Sequence, residues 1–169
     1  LFFSREEADR FRGAIGRKID IPVSRIVLNT SHTHTGPKVG SWFYTPSDPI
    51  YLAFLENAIV GAALNARDAA RPVTVAAGTG ATKLPVSRRK KLADGTIEFA
   101  PDLTKTVCNT LPVCRLSDAG GKPVCLLFSV ACHPSTVKGV DRSYLISADF
   151  PGAAMRMIDE RLGAPVSLF

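Results

Sequence analysis

Two β-rich runs, residues 106–116 and 123–131, are separated by Ser117-Asp118-Ala119-Gly120-Gly121-Lys122. A short linker with Asp and paired glycines is turn chemistry, so the runs read as an antiparallel hairpin. A hairpin in the middle of the chain excludes a purely parallel sheet. Its second arm, Val124 through Val130, is apolar on both faces, as a central strand is. Helical patterns flank it. Ser4-x-x-Glu7 is a capping box, followed by Ala8, Phe11, Ile15 and Ile19 at helical spacing, which predicts a helix over 4–19. Asp48 as cap and Pro49 at the first turn open a second helix over 48–70. A third, over 150–162, follows Asp149 and stops at Gly163. Further short strands are expected at 25–29, 73–77 and 165–169, and Asp94-Gly95 marks a tight turn between short arms within a polar connection spanning 83–105. The predicted class is α/β, a mixed sheet with helices packed on its faces.

With 46% apolar and 21% charged residues in 169, the chain can bury a core, and disorder is excluded as its main state. No uninterrupted apolar run reaches the roughly 18 residues of a membrane span. The chain starts without Met and ends inside an apolar run, so it reads as a single incomplete domain over 1–169, with its compartment open. The net charge of +6 could attract nucleic acid or acidic lipid. The one dense cluster, Arg88-Arg89-Lys90-Lys91, has neither interleaved aromatics nor a nucleic-acid motif, so a solvated loop or an anion-facing role fits better than nucleic-acid binding. The four cysteines, Cys108, Cys114, Cys125 and Cys132, lack metal-site spacing. Hairpin pairing would bring Cys114 near Cys125 and Cys108 near Cys132, but buried free thiols are expected ahead of disulfides or metal ligation. Residues 38–47 read as a loop whose Trp42, Phe43 and Tyr44 either line a pocket or pin the loop to the core.

The chain has three histidines, and each is expected just past the end of an apolar strand. His32 and His34 follow Ile26-Val27-Leu28, and His133 follows Val124–Val130. Ligands of open α/β sheets bind at such strand ends. If the backbone stays extended, His32 and His34 face one side and reach one point. Neutral imidazole is the commonest metal ligand. Asp149 is a candidate carboxylate partner or simply a helix cap. No G-x-S-x-G, P-loop, G-x-G-x-x-G or H-E-x-x-H is present, which leaves metal-assisted hydrolysis as the supported class of chemistry.

Three segments resemble one family. Asn29-Thr30-Ser31-His32-Thr33-His34-Thr35-Gly36-Pro37 resembles the T-H-T-H-S-G-P segment of the neutral/alkaline non-lysosomal ceramidases. Phe128-Ser129-Val130-Ala131-Cys132-His133-Pro134-Ser135-Thr136 resembles their second histidine segment, and Ile146-Ser147-Ala148-Asp149-Phe150-Pro151-Gly152 resembles the I-S-x-D-(Y/F)-P-G stretch of bacterial ceramidase-like relatives. The resemblance implies a zinc-dependent amidase of the N-acylsphingosine class and a place for this chain within a larger catalytic domain. It implies His32 and His133 as zinc ligands, with a Glu and a Tyr from further along the family's chain, and His34 as a site-facing histidine. Arg88 sits where the family has an N-R pair near its site. The implied partner is a small-molecule or lipid amide, with no nucleic acid. A non-catalytic binding domain of the same fold, or a metal hydrolase of another small amide or ester, are the alternatives.

Overall fold

The computed structural model describes residues 2–40, 46–137, 145–163 and 166–169. The expected aromatic loop at Trp42, Phe43 and Tyr44 lies outside the described residues. The chain divides into two compact units. The first comprises Leu1–Arg71 and Pro134–Gly152, and the second Pro72–His133 and Ala153–Phe169.

In the first unit, helix α1 spans Arg5–Ile19 and helix α2 spans Pro49–Asp68. The capping box of α1 forms as read: the Ser4 hydroxyl accepts from the Glu7 N–H, and the Glu7 carboxylate accepts from the Ser4 N–H. Glu7 goes further. Its second oxygen accepts from the Gly40 N–H at 3.1 Å and the Ser47 hydroxyl at 3.0 Å, so the cap also fixes the chain that follows the first histidine segment. Burial alone would raise the Glu7 carboxyl, but these hydrogen bonds outweigh it and hold it below its ordinary value. Asp48 caps α2 by accepting from Ile50 and Tyr51. The two helices pack on each other, with Phe11 and Ile15 of α1 buried and Arg10 paired with Glu56.

The strand expected at 25–29 does not form. Val23–Arg25 make a single 3₁₀ turn, and residues 26–32 run on without a ladder. Ile26-Val27-Leu28 has β propensity but no neighbouring strand among the described residues of its unit, and propensity without a partner is weak; Val27 is 88% exposed.

In the second unit, a four-stranded sheet has the order β1-β4-β5-β6, formed by Thr74–Ala81, Thr110–Ser117, Pro123–Phe128 and Val166–Leu168. β1–β4 and β4–β5 are antiparallel, and β5–β6 is parallel, so the fold is α/β with a mixed sheet. The hairpin turn uses Asp118 as expected: its carboxylate accepts from Gly120 and Lys122, and Gly121 takes φ +81°. β1 is longer than expected because its ladder with β4 continues through Gly78 and Gly80 to Ala81. The short arms around Asp94-Gly95 are β2, Lys90–Lys91, and β3, Ile97–Glu98. Helix α3, Asp149–Leu162, meets the sheet at β6, where the Ser167 N–H donates to Asp159 and the Ser167 hydroxyl to the Met155 carbonyl, both at 3.0 Å.

The four cysteines form no disulfide with one another, and none is fully buried. The register sets Cys114 opposite Leu127 and Cys125 opposite Leu116, two residues away from the pairing the numbering suggested. Cys108 and Cys132 lie outside the strands.

Candidate metal centre

The Thr-His-Thr-His-Thr segment is held by its threonines. Thr33 and Thr35 are buried, and both hydroxyls donate to the Ser147 carbonyl, at 2.9 and 3.0 Å. The Ser147 N–H returns a bond to the Thr35 carbonyl at 2.8 Å. Alternation then turns the histidine side chains the other way: His32 is half-buried and His34 exposed. The backbone is not extended at His32, as the sequence reading assumed. It takes φ +59°, the left-handed region, which costs a non-glycine residue about 1–2 kcal/mol. The two rings still meet, with centroids 5.1 Å apart and edge to face. Phe2 stacks on the His32 ring at 5.7 Å and 10°. Nothing in the sequence marked Phe2 for this place.

The second histidine segment is tied to the first through main-chain contacts. The His34 N–H donates to the Pro134 carbonyl at 3.3 Å, and His133 is joined to Pro134 by its own peptide bond. Asp149 fixes the residues just beyond. Its Oδ2 accepts from the Thr136 N–H at 2.8 Å and the Val137 N–H at 3.3 Å, and its Oδ1 accepts from the Thr136 hydroxyl and the Phe150 N–H, both at 2.6 Å. Burial pushes the Asp149 carboxyl up, but these four bonds outweigh it and hold the group below the usual carboxylate value. Asp149 stands at φ +54° as the first residue of α3, and its N–H donates to the Ser147 hydroxyl. It is thus a brace between segments as well as a helix start. At Gly152 an added Cβ would run into the Cβ of Ala148, so the end of this motif has no room for a side chain.

The result is that His32, His34 and His133 each offer a ring nitrogen, and these nitrogens lie within 4.8 Å of one another. Histidine nitrogens bind zinc at about 2.0–2.1 Å, so nitrogens gathered this closely are candidates to hold one ion. Three imidazoles are a suitable donor set for zinc and for other borderline divalent ions alike. The Asp149 carboxylate is not part of this cluster; it acts on the segment that carries His133.

Arg88 meets one of these histidines, His133. Its Nη2 lies 3.2 Å from His133 Nδ1, and its guanidinium sits 5.2 Å from the Phe99 ring centroid. Arginine only donates, so Nδ1 of His133 accepts and the proton of a neutral ring is on Nε2. A metal held through Nδ1 must displace Arg88. A metal held through Nε2 must move that proton and cost Arg88 its acceptor. Either way, Arg88 and a metal compete for His133.

A scan against models of protein families finds none that matches this chain, and a search of curated proteins finds no match either.

Proposed function

We propose that the chain carries the histidine part of a metal-dependent hydrolase site acting on an acyl-amide, with zinc the metal the ceramidase resemblance implies. The observation that carries this reading is the convergence of three imidazole nitrogens from two distant segments. In support, polar side chains beside the histidines hold their segments: Thr33 and Thr35 bond to the Ser147 carbonyl, and Thr136 to Asp149. Bound zinc lowers the pKa of a coordinated water towards 7 and polarises a carbonyl. His32 and His133 would hold the ion. His34, the most exposed of the three, would stand beside it to donate a hydrogen bond or carry a proton. Arg88, once off His133, would present a cation to the developing oxyanion.

The test is calorimetric titration of the chain with Zn²⁺, alongside the His32→Ala, His133→Ala and His34→Ala variants. Binding lost in the first two and kept in the third is the expected result. No saturable binding, or binding indifferent to His32 and His133, refutes the assignment. Because the resemblance implies further ligands beyond these histidines, assays of the intact protein on a long-chain ceramide and a short acyl-amide then separate an amidase from a domain that binds metal without turnover.

A further inference from the structure

The basic cluster has a place in the fold that the histidine site does not account for. Residues 83–105 carry six cations against three acids, half the net charge of the whole chain. Arg88, Arg89, Lys90 and Lys91 are all exposed. The connection is also rich in apolar side chains facing solvent: Leu103 is 84% exposed, Phe99 70% and Ile97 58%, with Leu84 also exposed. The β2–β3 register sorts the two properties. Lys90 stands opposite Glu98, so cation and acid share one face, whereas Lys91 stands opposite Ile97, so cation and hydrocarbon share the other. The turn is firmly built. Gly95 takes φ +87°, its N–H donates to the Leu92 carbonyl, and Asp94 accepts from both the N–H and the hydroxyl of Thr96.

We propose that this hairpin docks on an anionic lipid surface, with Arg89 and Lys91 on the headgroups and Ile97 and Leu103 entering the headgroup–acyl boundary. Charge complementarity selects the partner's sign, because cations near a membrane surface are drawn to acidic lipid. The apolar side chains select lipid over nucleic acid, since a phosphate backbone offers them no hydrocarbon to enter. The inference is independent of the metal reading, because none of these four side chains belongs to the histidine cluster.

The test is co-sedimentation of the 169-residue chain with phosphatidylcholine vesicles, with and without phosphatidylserine. Binding should require phosphatidylserine and should vanish near 1 M salt, where the Debye length is about 3 Å. This arm needs no variant. At about fivefold per cation, Arg89→Ala with Lys91→Ala should weaken binding about 25-fold. Ile97→Ser with Leu103→Ser should weaken it at least tenfold at unchanged charge. Equal binding to pure phosphatidylcholine would overturn the proposal and point instead to α2, whose outward Ile50 and Phe54 are 81% and 65% exposed. Salt-sensitive binding to duplex DNA that survives the two serine substitutions would overturn it in favour of nucleic acid. Failure to bind phosphatidylserine vesicles at low salt would end it outright.

Discussion

Replacing Asp149 with Asn tests whether the brace holds the candidate site together. The carboxylate serves four donors with two oxygens. Asparagine keeps one oxygen and puts an NH₂ in place of the other. If the NH₂ takes the Oδ2 position, it confronts the Thr136 and Val137 N–H groups, and neither can turn round. If it takes the Oδ1 position, the Thr136 hydroxyl can reverse but the Phe150 N–H cannot. At least one main-chain donor therefore loses its partner, and the surviving bonds lose their ionic character. Bonds to charged groups contribute about 1.5–3 kcal/mol each and neutral ones about 0.5–1.5, so the loss should be about 2–4 kcal/mol. Urea unfolding should show a midpoint lower by about 1–2 M at unchanged slope. Asn tolerates the left-handed backbone at this position, so Asp149→Ala should cost more than Asp149→Asn. The pH dependence follows from the depressed carboxyl. Its stabilisation is complete above the unfolded-state value of about 3.9 and is lost as pH falls towards the lower folded value. The gap between parent and Asn variant should therefore close below about pH 4. An Asn variant within about 0.5 kcal/mol of the parent at pH 7, with unchanged Zn²⁺ affinity, would refute the bracing argument.

Further expectations concern single groups. Arg88→Ala should raise Zn²⁺ affinity about three- to tenfold, a charged hydrogen bond discounted for exposure; an unchanged or lower affinity would show that Arg88 and the metal do not compete. Gly152→Ala should lower the melting temperature, because its methyl meets Ala148 one helical turn back; an unchanged melt would show that α3 shifts at no cost. Without reductant, Ellman's reagent should count four thiols in the denatured chain, and any smaller number would reveal a disulfide. In the folded chain Cys108, which is exposed, should react first. Cys125 should lag, because burial, with Cys114 and Asp159 nearby, pushes its thiol up and leaves little thiolate.

What the sequence made legible was local. Capping residues announced the three helices among the described residues, and Asp94-Gly95 and Ser117–Lys122 announced two antiparallel turns, because these signals act over a few residues. The strand at 25–29 failed because strand formation depends on a neighbour that the pattern of Ile26, Val27 and Leu28 cannot reveal. The histidines converge, yet not by the extended backbone that their spacing suggested: His32 turns left-handed, and the buried threonines do the aiming. Asp149 was visible as a cap, but its bonds to Thr136 and Val137 reach across 12–13 residues and leave no trace in local pattern. Phe2 against His32 is a contact of the same kind. By length and composition α2 could cross a membrane, although no uninterrupted run suggested it; Glu56, within that helix, is paired with Arg10.

The bonds from Thr33 and Thr35 to Ser147 close loops of 114 and 112 residues. The hairpin of β4 and β5, by contrast, closes across a handful. Loop closure over long separations is entropically late and slow, whereas a local hairpin forms early. The sheet can therefore be complete while the three imidazoles are still apart. Secondary structure should recover first in a refolding experiment, and the capacity to hold a metal should follow as a separate, slower phase. Metal capture thus becomes a clock for the last step of folding rather than a measure of how much chain has folded.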